Sequence, residues 1–425
     1  MKVLVFFETR QTFTNTVLEH VSSFAKHSEN DYFFCDSGQT ITVDLDSFDA
    51  VILHYTLRLP FDLVNDSLAA KLEAYRGLKA LFIQDEYDHT YRAWYWIKRL
   101  GIALVFTVVP KDGIARVYPP EEFPDTRFVN NLTGYVPEKL PVASGVLTSA
   151  RPLTIAYRGR SLPVQYGQLG FEKIEVGQMV KAYCVEKNIA HDIAWDEKSR
   201  IYGADWYRFM ASCRSMLGSE SGSNVFDWDG TLARDVAAYQ EKNPRAGLLQ
   251  VYRDVVSARE IPGLMNQVSP RVFEAIALRT ALVMFRGNYS GVVVADEHYI
   301  PLDKDGGNLP EVFEKLADSA YVDAMVDRAY RDVIASGKYT YAAFVRMVDA
   351  ELGVNRVPGV PAVRDVLRDA EDLINPPAPL LRAPGPYVPP KPSRSPVDFV
   401  WRNLPEELRV ILRPLVPSFL RRKKK

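Results

Sequence analysis

Cysteine is scarce: Cys35, Cys184 and Cys213 are the only three in 425 residues. So sparse and odd a set argues against a disulfide framework and fits a reducing compartment. The six histidines show no metal-ligand spacing with the cysteines, and there is no H-E-x-x-H. No apolar run reaches the ~18 residues of a membrane span. The opening run 1–7 is too short for a signal-peptide core and is cut off by Glu8. The expectation is therefore an intracellular, cytoplasmic protein. Charge of one sign is also missing. Lys and Arg number 52 against 53 Asp and Glu, a net charge of -1, which gives no global reason to expect nucleic acid as a partner. A Walker A loop and a G-x-G-x-x-G are absent, and with them the usual ATPase and dinucleotide fingerprints.

What is present is an ordinary globular composition, 47% hydrophobic and 25% charged, long enough to bury a sizeable core without staples. At roughly 150 residues per domain the length suggests two or three domains. In residues 1–145, short runs rich in Val, Ile, Leu and Phe at 2–7, 31–35, 50–55, 80–84 and 103–109 alternate with helical patterns at 14–26, 63–75 and 90–100. The runs do not alternate polar with apolar, as expected of strands buried on both faces of a parallel sheet. Near residue 150 the pattern restarts, with strands expected at 153–157, 191–194, 215–219, 281–285 and 292–294. Helices are expected at 170–187, 206–213, 270–278, 309–316 and 320–336. The fold class is α/β: two doubly wound, Rossmann-like domains, 1–145 and 150–355, facing a cleft. Residues 223–263 read as an insertion with its own helix at 251–259. A proline-rich linker spans 376–396, where nine of 21 residues are proline.

Ligands of such folds sit outside the carboxyl ends of the strands. Arg158 and Arg160 follow the strand 153–157, and Lys173 lies in the next helix. Arg offers a forked donor, Lys a point charge, and the helix start amide donors, so the group suits a diphosphate; the alternative is a solvated basic loop. Ser269-Pro270 reads as a helix start, with Arg271 and Glu274 on one face of that helix. Glu274 either pairs with Arg271 or accepts from sugar hydroxyls. Glu220 lies in a small polar loop after the strand 215–219, where a ligand could approach or the chain could simply turn. Asp227-Trp228-Asp229 matches D-x-D, a weak signal read as a turn. In the first domain Asp85 and Glu86 follow a buried strand. They either contact an acceptor hydroxyl, as orienting groups or base, or cap the next helix. Tyr87, Tyr91, Trp94 and Tyr95 recur at helical spacing, more in keeping with core than with sugar stacking.

The second domain resembles the donor half of a retaining GT-B glycosyltransferase of the bacterial group 1 type. The resemblance rests on Ser269-Pro270-Arg271-Val272-Phe273-Glu274-Ala275, Gly287-Asn288-Tyr289-Ser290-Gly291, His298-Tyr299-Ile300-Pro301-Leu302, and the run from Tyr157-Arg158-Gly159-Arg160 to Gly170-Phe171-Glu172-Lys173. It implies transfer of a sugar from a nucleotide-sugar to an acceptor hydroxyl without a metal or other cofactor, with Glu274 on the ribose hydroxyls. It also implies that Arg158 or Arg160 acts with Lys173 on the leaving diphosphate, and that the two domains close over the substrates. The residue eight before Glu274 is Asn266 where the family has Glu. Asn266 could bond the donor sugar, or Glu220 could serve. Two other classes share the layout, an inactive nucleotide-binding scaffold and a sugar-nucleotide epimerase. Residues 397–425 carry eight Lys or Arg and three Asp or Glu, with Leu404, Leu408, Ile411, Leu415 and Phe419 at helical spacing. This tail reads as a peripheral anchor to an anionic membrane surface, suiting a glycan or lipid-linked acceptor, or as a helix docked on the first domain.

Overall fold

The segment Lys2–Phe7 (β1) is buried along almost its whole length, and its side chains divide by parity. Leu4 and Phe6 enter one core cluster and Val3 and Val5 the opposite one, as a strand covered on both faces requires. In the computed structural model, which describes residues 1–8, 14–38, 41–61, 64–142 and 146–354, β1 lies within a six-stranded sheet. The other strands are Asp31–Asp36 (β2), Ala50–Leu53 (β3), Leu78–Ile83 (β4), Leu104–Thr107 (β5) and Arg127–Asn130 (β6). The order is β2-β1-β3-β4-β5-β6, and every pairing is parallel. Helices Asn15–His27 (α1), Asp66–Ala74 (α2), Thr90–Leu100 (α3) and Lys111–Val117 (α4) make the crossovers.

The second sheet comprises Leu153–Arg158 (β7), His191–Ala194 (β8), Cys213–Gly218 (β9), Ala281–Phe285 (β10) and Ile300–Leu302 (β11), in the order β11-β10-β9-β7-β8, again all parallel. The helices that follow in the chain are Gly167–Glu186 (α5), Ala204–Ala211 (α6), Thr231–Lys242 (α7), Leu248–Val251 (α8), Pro270–Ala277 (α9), Leu309–Ala317 (α10), Ser319–Ala329 (α11) and Tyr341–Val354 (α12). The fold is thus α/β with two parallel sheets, as expected.

Several local expectations fail for identifiable reasons. Val292 and Val293 are buried but follow a 3-10 turn, Tyr289–Gly291. The last strand is β11 instead, where Pro301, lacking an amide hydrogen, is accommodated at the sheet edge. The edge strand β6 and helix α4 were not anticipated. In the insertion α7 was missed, and the expected helix is a composite: α8, then a π turn Tyr252–Val256, then a 3-10 turn Ser257–Arg259.

Two excursions tie the halves together. Helix α12 follows the second sheet in sequence but packs on the first. There Tyr341, Phe344, Val345, Val348 and Leu352 share a cluster with Val3, Val5, Phe24 and Phe82, and Arg127 makes a forked pair with Glu351 at 2.8 and 3.0 Å. The insertion, with the residues that follow it to Gln267, sends Phe226, Leu264 and Met265 into the opposite core of the first sheet. The linker 376–396 and the tail 397–425 lie outside the described residues.

Candidate active site

In each sheet the chain leaves one central strand for one neighbour and returns on the other side, so a switch point lies between β1 and β3 and another between β7 and β9. Ligands of open α/β sheets bind outside the strand ends at such points. At the second, three cations gather. Lys173, two turns into α5, directs Nζ to the carbonyl of Glu220 at 3.2 Å and the hydroxyl of Ser221 at 3.1 Å. Both partners are neutral. Loss of hydration, and then the neighbouring Arg271, push its pKa down to about 8. Arg271, in the first turn of α9, lies 5.1 Å from the ring of Tyr157 and 5.3 Å from that of Trp206. It donates to the carbonyl of Arg158 at 2.8 Å, while its Nε is buried and has no hydrogen-bond partner among the described residues. Arg160 is exposed and near enough to disfavour the charge on Lys173. Among the described residues none of the three makes an ion pair with a carboxylate. Glu172 and Glu220 favour the charge on Lys173, but burial and Arg271 oppose it more strongly, so a further anion would be favoured at this group. Ser269 precedes α9 without capping it through its side chain; Pro270 has no amide hydrogen and the amide of Val272 donates to the carbonyl of Ser269 at 2.9 Å, so the helix start contributes mainly the positive end of its dipole, beside Arg271.

Glu274 shares the helix face with Arg271, but its carboxylate turns to α6. It accepts from Trp206 Nε1 at 2.9 Å and Tyr207 OH at 3.3 Å. Burial raises its pKa, and the two hydrogen bonds and Arg271 oppose the rise. It is not the ion-pair partner of Arg271.

Other sequence candidates are engaged elsewhere. Arg158 makes a forked pair with Asp192, 2.8 Å at each nitrogen, donates to the carbonyl of Ser199 at 2.9 Å and lies over Phe209. Its guanidinium is thus engaged with both a carboxylate and a carbonyl, unlike those of Arg160 and Arg271. The start of α5 is occupied too: the amide of Gln168 donates to both carboxylate oxygens of Glu260, at 3.0 and 3.2 Å. Glu220, nearly inaccessible, accepts the amides of Asn288 and Tyr289 at 3.1 and 2.8 Å. A Cβ at Gly287 would come within 2.6 Å of its carboxyl carbon. Asn266 is held between Glu220, at 2.5 Å, and Asn224, at 2.8 Å. These two shape the loop behind the cations. Asp227 caps α7 through the amides of Leu232 and Ala233, 3.0 Å each, and Asp229 accepts from Thr231. D-x-D is a turn here, as read.

On the facing half, Glu86 points inward. It is fully buried, accepts from Thr107, leaves Oε2 without a hydrogen-bond partner among the described residues and is pushed up to about 8 by burial. An acceptor cannot reach it, which corrects the expectation for this residue. Asp85 is half exposed, accepts from Tyr87 OH at 2.7 Å and faces Arg58 at 3.6 Å. Asp88 belongs to the same acidic run but was not singled out from the sequence. Burial, and then Asp85, push its pKa up to about 6, and it accepts from Tyr166 OH of the other half at 3.3 Å. Also missed was Glu19 on α1, pushed up to about 7 by burial and then by Glu138. No local signal marks either residue, because both environments come from distant segments. Trp94 is packed against Phe123 and Trp228, whereas Tyr91 and Tyr95 are half exposed. Among the described residues no three His, Cys, Asp or Glu side chains come together as a metal-ligand set.

Fold and site define an α/β protein with two parallel sheets and a cationic centre at a strand-end switch point of the second. No protein-family model matches the sequence, and no curated protein matches it. Similar solved structures include an alpha-glucosyltransferase in complex with UDP and a 13-mer DNA (TM-score 0.48, 11% identity, 84% of this chain and 100% of that chain). Others are T4 phage BGT with its UDP-glucose substrate (0.46, 10%, 83% and 99%) and Anabaena HepE with UDP (0.47, 9%, 83% and 100%). At such identities these are likenesses of backbone, not of sequence.

Proposed function

We propose that this chain is a glycosyltransferase that moves a sugar from a nucleoside diphosphate sugar to an acceptor hydroxyl. The observation that carries the reading is the meeting of Lys173, Arg271 and Arg160 without a carboxylate partner, beside the uncapped start of α9. A diphosphate supplies the missing charge. As the glycosidic bond breaks, its electron pair passes to the diphosphate, and cations already in place stabilise that charge most where it develops. Glu274, fixed by Trp206 and Tyr207, retains lone pairs for hydroxyl donors such as those of a ribose. No metal enters this scheme. An inactive scaffold would bind the nucleotide without turnover, and an epimerase would act on the donor alone.

Binding is tested by thermal shift and calorimetry with UDP, GDP, ADP and dTDP. One of them should raise the unfolding midpoint of the wild type and lose that effect in Arg271→Ala. If none binds, the reading falls. Product analysis with the matching nucleotide sugars, with and without acceptors, separates transfer from epimerisation. Among glycans, glycolipids and duplex DNA as acceptors, the near-neutral net charge of -1 favours the first two.

The finer reading places the acceptor in a surface glycan or glycolipid at a membrane face, with residues 397–425 as a peripheral anchor. Its support is the basic, amphipathic sequence of that segment. Among the described residues no helix is long and apolar enough to cross a membrane. Co-sedimentation with anionic vesicles should be lost in a chain ending at Asn375; equal binding by both forms would remove the anchor.

A further inference from the structure

We infer that the insertion is a strap that holds the two halves at one fixed angle, so that the cleft is preformed and does not close by domain rotation. On the second half the strap is anchored at both ends. Ser221 and Gln267 exchange main-chain hydrogen bonds at 2.8 and 2.9 Å, Ile261 donates to the carbonyl of Asn224 at 2.8 Å, and Glu260 caps α5. On the first half it enters the structure. The amide of Asp227 donates to the carbonyl of Tyr87, and the amide of Tyr91 to the carbonyl of Trp228, both at 2.8 Å. Phe226, Leu264 and Met265 are at most 5% exposed and belong to the core that holds Leu57, Ile83, Trp96 and Val108. The fit leaves no slack: a Cβ at Gly113 would lie 3.0 Å from the carbonyl oxygen of Leu264, and Gln267 Nε2 donates to the carbonyl of Val108. Domain interfaces that permit rotation are more polar and form no common core. Here rotation would break two main-chain bonds and open an apolar core to water.

The consequence is functional. A cleft fixed in advance lowers the ordering cost at binding, and water must be excluded by the substrates and local loops instead of by closure. This replaces the closing motion that the sequence resemblance implied.

The inference is tested on the full chain without ligand by native-state hydrogen exchange. The amides of Asp227 and Tyr91, which bond across the halves, should be slowed by about 10³-fold or more, as slowly exchanging as Val283 inside β10. Exchange at Asp227 and Tyr91 much faster than at Val283 would show that the halves part without unfolding, and would overturn the strap. In Phe226→Ala/Leu264→Ala exchange should rise at Asp227 and Tyr91 while Val283 stays protected. If Val283 rises in step with them, the contact belongs to global stability alone and the strap as a separate device is refuted. Neither readout depends on which reaction the site performs.

Discussion

Asn266 Nδ2 donates to Glu220 Oε2 at 2.5 Å, so the residue that stands where a family carboxylate is expected is tied to the one carboxylate that could have replaced it. Oε1 of Glu220 meanwhile accepts two amides of the loop after β10. All three partners are donors, and Gln at 220 would set a donor against one of them. We expect Glu220→Gln to cost about 2–3 kcal/mol, the scale of a lost hydrogen bond to a buried charge, read by urea unfolding. A stability within about 0.5 kcal/mol of wild type would show that the carboxylate does not hold the loop.

Lys173 illustrates a conflict between stability and activity. Burial, Arg271 and Arg160 disfavour its charge more than Glu172 and Glu220 favour it, and among the described residues it has no ion-pair partner, so Lys173→Met should stabilise the ligand-free chain by about 1 kcal/mol, as replacement of a poorly compensated charge by an apolar side chain often does. The same change should cut sugar transfer more than nucleoside diphosphate affinity, because leaving-group charge is greatest in the transition state. Equal losses in both would assign Lys173 to ground-state binding only.

For Glu274 the expected pattern is the reverse. Glu274→Gln keeps an oxygen for Trp206 or Tyr207 but loses the charge that strengthens a bond to a ribose hydroxyl. Affinity for the nucleoside diphosphate should fall by about 10-fold, near 1.4 kcal/mol, with little change in turnover at saturating donor. Unchanged affinity would move the ribose elsewhere.

The sheets were legible because a strand buried on both faces is a short apolar run bounded by turns, and β1, β8 and β10 end where those runs end. The edge strand β6 was not, since Arg127 and Asn130 break such a run. Lys173, Arg271 and Glu274 were legible because strand ends and helix starts have sequence signals. Arg158 was misread: Asp192 lies on the neighbouring strand β8, where Ala156 is its register partner, and no spacing along the chain discloses a partner 34 residues away. Asp88 was not singled out for the same reason, since Tyr166 is 78 residues distant. Glu86 was misassigned because the next two residues on either side reach solvent or the cleft, while its own side chain follows the buried face of β4 towards Thr107.

The buried titratable groups of the first half set a pH dependence of stability whose sign differs between acids and histidines. Glu86 is raised to about 8 by burial, Glu19 to about 7 and Asp88 to about 6. Each keeps its proton in the folded chain at pH values where the unfolded chain, with pKa near 4.5 for Glu and 3.8 for Asp, has lost it. Their contribution is therefore greatest at low pH and declines as pH rises towards the folded values. His20, enclosed by Phe24, Tyr55, Phe82 and Phe344, is lowered to about 3, and His54, bonded to it at 3.0 Å, is well below its ordinary value, in both cases through burial. Their contribution is complete above pH 6.5 and declines as pH falls, because the unfolded chain then takes up protons that the folded chain refuses. Each proton of difference is a slope of about 1.4 kcal/mol per pH unit. Stability should accordingly rise as pH falls from 8 to about 6.5, change little while acids and histidines oppose one another, and drop below about 4.5. Glu86→Gln imitates the protonated acid at every pH. It should raise the urea midpoint at pH 8, leave it nearly unchanged at pH 5, and flatten the slope between pH 6.5 and 8. A variant whose slope in that window equals that of the wild type would show that Glu86 is ionised in the folded chain and that its burial does not govern the profile.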